Sequence, residues 1–328
     1  MEIFHQKTNI DFVHTRWIGF WASGIVVGAS IILLATRGLN YSIDFTGGTL
    51  VTVTYAQPED IGGLRTTLEK AGYSSAAPQQ FTGSNTFQIR IQAADAHDAS
   101  AVDTFVKAMK DADPAREFRV DSRQFVGPTV GKHLFQQAVF ATIFSMLGIV
   151  VYVAFRFSNP IWGISGVFAL AHDVVAVAGL MSLLRLEFDL TLVAALLTLA
   201  GYSITDTIVV FDRIRERMTI YRKDTLDQQI NASINETLSR TVITSLTVLL
   251  TLLVLLLVGG KVIHDFALCM TVGVIIGTYS SIAVATPIVY QWETARKPKL
   301  SPSPAPAAAA GPSPAPNPTG GKRGKHRR

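Results

Sequence analysis

Residues 190–211 read LTLVAALLTLAGYSITDTIVVF, and only one side chain in that stretch, Asp206, carries a formal charge. A helix needs about 20 apolar residues to cross the hydrocarbon of a bilayer, so the stretch reads as a spanning helix. Similar stretches lie at residues 17–35, 138–155, 161–184, 241–258 and 266–290, the last being long and ending near Pro287. Composition agrees: 48% of the residues are hydrophobic and 16% charged, with mean hydropathy +0.32, against about 25% charged in soluble domains. A large soluble protein with buried helices fits poorly, because five of the six stretches fall within residues 138–290 with short polar joints. No cleavable signal pattern precedes the first stretch, whose length is that of an anchor. The single Cys269 lies in the sixth span and allows no internal disulfide.

Cytoplasmic loops are rich in Lys and Arg. With the N-terminus inside, Lys7, Arg16, Arg156, Arg213, Arg215, Arg217, Arg222, Lys223, Arg296, Lys297 and Lys299 all fall on the inner side, and the short outer loops keep only Arg185 and Lys261. Both termini are therefore expected in the cytoplasm. The expected organisation is residues 1–37 as N-terminus and first span, 38–133 as an external domain, 134–295 as spans two to six, and 296–328 as a tail.

Residues 49–55 alternate with β-branched side chains and predict a strand; 58–72 begin with Pro and acids, end with Gly and predict a helix. Residues 79–82 and 86–92 flank Gly83-Ser84-Asn85, a hairpin signal. Val102, Phe105, Val106 and Met109 recur at helical spacing within 99–111, and 117–125 predict a last strand. The order strand, helix, strand, strand, helix, strand is the split βαβ, ferredoxin-like pattern. Residues 38–133 hold 11 acids and 9 bases, a net −2 that offers nothing to DNA or RNA, and they show no metal-ligand spacing, phosphate loop or nucleophile–base pair. The domain reads as a binding or mechanical module. Residues 297–321, rich in Pro, Ala and Ser, cannot build a core. The basic end, residues 322–328, suits anionic lipid heads, at about 1 kcal/mol per basic group, or, as a sharper reading, ribosomal RNA or a translocating partner.

An ionisable side chain inside a span costs about 3 kcal/mol on insertion scales and is a functional candidate by default. His172 and Asp173 lie near the middle of the third span. Asp206 lies five residues past Gly201, about 7–8 Å from the midplane and still within hydrocarbon. Arg240 opens the fifth span, antiparallel to the fourth, and its long side chain can reach Asp206. Burial favours the neutral carboxyl and a guanidinium favours the carboxylate. Parting the pair loads a proton and re-forming it releases one, which is a proton switch; a structural ion pair is the plainer alternative. Thr237, Thr241, Thr244 or Ser245, and Thr251 add a polar line along the fifth span, able to border a hydrated path. Asp212, Arg213, Arg215 and Glu216 read as interfacial anchors.

Four stretches resemble one family. YSIDFTGGT at residues 41–49, ALAHD at 169–173, GYSITDTIVVFDR at 201–213 and NASINETLSRT at 231–241 resemble motifs of the SecF family, the smaller subunits of the bacterial SecDF protein-export complex. The resemblance runs from about residue 10 to about residue 295 and leaves out the Pro/Ala tail. One departure is Thr205, where the family usually carries Asn. The resemblance implies an α-helical polytopic membrane protein of RND type, with six transmembrane helices and an α+β ferredoxin-like external domain. It implies SecD, the SecYEG translocon and YajC as partners in the bacterial cytoplasmic membrane, and a preprotein met by the external domain. Protons are then the coupling ion, with no cofactor. Asp206 and Arg240 match the positions implicated in proton flow, whose complementary acid belongs to SecD. Asp44, Phe45, Thr46, Gly47 and Gly48 resemble a linker whose glycines permit an unusual turn and whose role would be to swing the domain. One charge crossing 100 mV gains about 2.3 kcal/mol, enough to bias a domain equilibrium.

Three other functions compete. A small-molecule RND exporter would normally be far longer. An intramembrane protease using Asp173 and Asp206 needs two carboxyls sharing a proton, which Arg240 opposes. A structural subunit stabilising SecD without conducting protons would tolerate loss of Asp206.

Overall fold

The computed structural model describes residues 8–80, 84–92, 100–157 and 160–296. Lys7, the hairpin residues Phe81, Thr82 and Gly83, Ala99 and the tail from Lys297 to Arg328 lie outside the described residues. In chain order the elements are α1 (Phe12–Arg37), β1 (Asn40–Tyr41), α2 (Ile43–Thr46), β2 (Gly48–Tyr55), α3 (Ile61–Lys70), β3 (Ala77–Gln80), β4 (Thr86–Gln92), α4 (Ser100–Ala112), β5 (Phe118–Val126), α5 (Pro128–Arg156), α6 (Pro160–Leu184), β6 (Glu187–Phe188), α7 (Leu190–Ile220), α8 (Leu226–Val258), α9 (Lys261–Ser280), a π turn (Ser281–Ala285) and α10 (Thr286–Arg296).

Among the described residues six helices are long and apolar enough to cross a bilayer: α1, α5, α6, α7, α8 and the composite Ile263–Arg296. Each extends beyond the apolar run that announces it. The fifth begins at Leu226 instead of at residue 241, because Thr225 and Gln228 close a capping box: Gln228 N donates to Thr225 Oγ1 at 3.4 Å and Thr225 N to Gln228 Oε1 at 3.0 Å. Arg240 therefore sits well inside a helix, not at its start. The sixth passes through Pro287. Proline supplies no N–H to the helix ladder; the π turn just before it absorbs the irregularity, with the Thr286 hydroxyl donating to the Ser281 carbonyl at 2.9 Å.

The domain inserted between α1 and α5 has one antiparallel sheet in the order β3-β4-β2-β5. The first strand, β2, is central and the last, β5, takes an edge, which is the ferredoxin-like arrangement. Val51, Val53, Phe87, Ile89 and Ile91 alternate onto one face, where they meet Leu64 and Leu68 of α3 and Val102, Phe105, Val106 and Met109 of α4. The α3 helix is shorter than residues 58–72: Asp60 caps its start by accepting from Gly62 N at 3.0 Å, and Gly72 leaves it at φ +86°.

The domain does not hang on loose ends. Pro128 starts α5 directly after β5, so the two chain passages to the membrane, 42–48 and 126–131, lie side by side. Gly47 has φ +72° and ψ +162°, and a Cβ there would stand 2.8 Å from Pro128 Cα. A Cβ on Gly131 would stand 2.9 Å from Gly47 N. Asp44 Oδ2 accepts from Leu190 N at 3.3 Å, and Ser42 N donates to Phe188 O at 3.0 Å. Tyr41, Phe45, Phe135 and Phe188 form a ring cluster with centroids 5.7–6.3 Å apart. Strands β1 and β6 pair in parallel, Asn40 with Glu187 and Tyr41 with Phe188. Arg90, on β4, reaches Glu187 at 2.5 Å and donates to Tyr41 O at 2.9 Å. The glycine motif is thus a packed elbow, closed by backbone, where a free swivel would leave both glycines open.

Candidate functional site

The charged side chains of the spans fall into two arrangements on either side of α7. The first surrounds Asp173, which has no solvent exposure. His172 Nδ1 lies 2.8 Å from its Oδ1. Its Oδ2 accepts from Ser203 of α7 and from Ser280, at the end of α9, the latter at 2.8 Å. Three spanning segments are pinned at one carboxyl, and they approach closely because position 277 is glycine: a Cβ there would lie 3.2 Å from Ser203 Cβ and 3.5 Å from Asp173 Oδ2. Sequence reasoning found His172 and Asp173 but missed Ser203 and Ser280. Serine in a helix ordinarily bonds its own backbone, and nothing local separates those two from the rest.

The second arrangement centres on Asp206, which is buried, with Oδ2 lacking any hydrogen-bond partner. Arg240 acts on it electrostatically from α8, but no ion pair joins them among the described residues. Arg240 is exposed on the outer surface of the bundle, as are Thr244, Thr247 and Thr251 below it on the same helix. The polar line of α8 therefore divides. Thr237, Thr241 and Ser245, four residues apart, are buried; Arg240, Thr244 and Thr251 face outward. The Thr237 and Thr244 hydroxyls return to their own helix, donating to Ser233 O at 2.9 Å and Arg240 O at 3.0 Å. The Thr241 hydroxyl is buried without a partner. Tyr202 OH, one turn from Asp206, bonds Ser245 Oγ at 3.2 Å, which in turn meets Thr278 Oγ1 at 2.7 Å. Thr205 is exposed and its hydroxyl donates to Gly201 O at 2.9 Å, so it contributes no bond across helices.

At the end of α7 several charges form ion pairs within the helix or with neighbouring helices. Asp212 meets Arg156 at 2.5 Å, and Arg213 meets Glu216 at 2.5 Å and Glu236 at 2.6 Å. Asn231 and Asn235, one turn apart on α8, hold the entry to α1. Asn231 Oδ1 accepts from Val13 N and Asn235 Oδ1 from Ile10 N, both at 3.0 Å, while Asn235 Nδ2 donates to Ile10 O at 2.9 Å.

Residues 104–295 match the family described as protein export membrane protein SecD/SecF, C-terminal, and residues 32–59 match the SecD/SecF GG motif. The protein translocase subunit SecF of Magnetococcus marinus is 41% identical over 305 residues, covering 92% of this chain and 97% of that protein. This chain belongs to the SecF family. The SecF subunit of Escherichia coli O157:H7 is 37% identical over 291 residues, with 88% and 89% of the two chains covered. The crystal structure of SecDF, a translocon-associated membrane protein, from Thermus thermophilus superposes with a TM-score of 0.81 at 37% identity. That match covers 89% of this chain and 40% of the SecDF chain, so the chain spans well under half of that protein. A SecDF structure in a super-membrane-facing form gives a TM-score of 0.66 at the same identity. The GG motif is the elbow at Gly47 and Gly48. As a SecF family member the chain is a multi-pass membrane protein of RND type and a protein translocase subunit.

Proposed function

We propose that this SecF-family chain joins SecD beside the SecYEG translocon, with YajC, in the bacterial inner membrane, and couples inward proton flow to the export of preproteins. Both termini lie in the cytoplasm and the ferredoxin-like domain lies outside, where it meets the translocating chain. Asp206 is the proton acceptor and Arg240 its alternating counter-charge; Thr241 offers a hydroxyl to the water that carries the proton. The observation that carries this reading is the unmet chemistry on one flank of the bundle: a buried carboxyl oxygen without a partner beside an outward-facing arginine in a spanning helix. A charged group facing lipid is costly, and a neighbouring six-helix subunit bringing an acid to that flank would relieve the cost.

The test is Asp206→Asn in the complex with SecD, reconstituted in inverted membrane vesicles. SecD should copurify as before, and the increment of preprotein export that depends on the proton gradient should vanish. Full gradient response in that variant would sink the proposal and leave a structural subunit in its place.

A further inference from the structure

The His172–Asp173 pair is buried, charged and unused by the mechanism above. Asp173 Oδ2 accepts from Ser203 and Ser280, and His172 Nδ1 lies 2.8 Å from Oδ1. A carboxylate is acceptor-only and can take both hydroxyls and an Nδ1–H together. A carboxylate at mid-span needs a compensating charge. His172 is the only basic side chain among the described residues that pairs with it. Several titratable groups on the elements packed against α6 are engaged elsewhere or carry the wrong sign. Arg16 donates to Val13 O and Arg156 pairs with Asp212, both at 2.5 Å. Tyr202 bonds Ser245 and Tyr279 bonds Gly19 O at 2.9 Å. Glu293 accepts from Trp162 at 3.4 Å, and Asp206 adds a second acid. His172 is itself 8% exposed, and its Nε2 is buried without a partner.

We propose that His172 is a second proton-binding site of this membrane domain, formed by the unpartnered Nε2 and backed by Asp173. The Nε2 lone pair takes a proton from a hydronium ion or water chain, and Nδ1–H stays on Asp173 Oδ1. The imidazolium and carboxylate together carry no net charge. On release the proton returns to water from Nε2, and an uncompensated carboxylate remains in the core. Ser203 makes that change felt on α7, since it holds Asp173 and lies three residues before Asp206. The inference rests on the proton-coupled reading above and adds to it a storage site inside this subunit, away from the flank offered to SecD.

The experiment is nitrogen NMR of the full chain, labelled at histidine and aspartate, assembled with SecD in lipid at neutral pH. His172 is assigned by its through-space contact with the Asp173 carboxyl and told apart from His264, which pairs with Asp265 at 3.0 Å at an exposed site, by the latter's exchange with bulk water. Both ring nitrogens of His172 should carry protons. A bare Nε2 overturns the proposal, and this measurement needs no variant to fold. In the export assay His172→Gln keeps a donor toward Asp173 but has no proton-accepting ring nitrogen, and it should lose the gradient-driven increment; full retention also overturns the proposal. Loss in Asp206→Asn with retention in His172→Gln refutes this inference alone. Retention in Asp206→Asn refutes the earlier reading while the NMR signature still decides this one.

Discussion

Three glycines around the elbow separate backbone strain from steric closure. Gly38 and Gly47 share a backbone conformation, φ +64° ψ −172° and φ +72° ψ +162°, in a region that essentially only glycine occupies, at a cost of about 1–3 kcal/mol for other residues. They differ in surroundings: a Cβ on Gly38 meets nothing within 4 Å, and one on Gly47 lies 2.8 Å from Pro128 Cα. Gly131 is helical and pays no such strain, but its Cβ would press on Gly47 N at 2.9 Å. Forcing an extra carbon into a packed site costs about 1–3 kcal/mol. Gly47→Ala therefore carries both costs at one place, about 2–6 kcal/mol. Gly131→Ala carries the steric one and Gly38→Ala only the strain, at a point outside the elbow. Hydrogen exchange of the amides that close the elbow, Gly47 N to Ile43 O at 2.9 Å and Ser42 N to Phe188 O at 3.0 Å, reads this as local opening. With about tenfold per 1.4 kcal/mol, Gly47→Ala should speed exchange by about 30-fold or more, Gly131→Ala by about tenfold, and Gly38→Ala by less than about threefold. Equal acceleration by Gly47→Ala and Gly38→Ala would refute the packed elbow.

Arg90→Ala removes an ion pair joining the inserted domain to the α6–α7 loop, and the side chains are only 20% and 17% exposed; the loss should be about 1 kcal/mol, seen as a broadened spin-label distance between domain and membrane region. Asn231→Ala with Asn235→Ala removes the bonds that hold residues 10–13, at about 1 kcal/mol each, and proteolysis near residue 10 should rise while SecD copurification persists. Burial, followed by the Glu59 charge, pushes the Tyr55 phenol up to about 12. The folded state then holds its proton more tightly than the unfolded chain, so that stability is fully present below about pH 10 and lost as pH climbs through 12, by about 2–3 kcal/mol in total. Tyr55→Phe should flatten that slope in alkaline unfolding followed by near-ultraviolet circular dichroism.

The spans and the domain topology were legible because their signals are local. Apolar runs of spanning length, alternation in β2 and β4, and the spacing of Val102, Phe105, Val106 and Met109 each arise within one element. The Thr225–Gln228 capping box was equally local, and reading it would have placed the start of α8 correctly. The pairing of β1 with β6 was not legible: each strand is two residues long, and 145 positions separate Asn40 from Arg185, whose carbonyl its side chain also meets. Ser280 reaches Asp173 across 107 positions and carries no local mark of doing so. At the candidate site the acids were visible because a charge in a span is rare. The donors that settle their different characters were not, because serine and threonine are common in spanning helices and most of them bond their own backbone.

That difference between the two acids is the strongest argument for where a second subunit belongs. Asp173 is enclosed by this chain alone: His172, Ser203 and Ser280 surround it, and glycine at position 277 lets the helices close on it. Asp206 is incomplete in a particular direction. Its neighbours Ser203 and Thr207 on α7 are buried, whereas Gly201 and Thr205 are exposed on the same helix and Arg240, Thr244 and Thr247 on the next. Small and hydroxylated side chains allow spanning helices to approach closely, and an outward arginine in hydrocarbon is stable only when another group answers its charge. A chain that needed only to hold itself together would have buried Arg240 against Asp206. Leaving the carboxyl inside and the guanidinium outside costs stability in the isolated chain, and under the proposed function an acidic helix of SecD over the α7–α8 flank would recover that cost. Under the proposed function, proton loading at Asp206 and the hold of one subunit on the other would then form a single equilibrium.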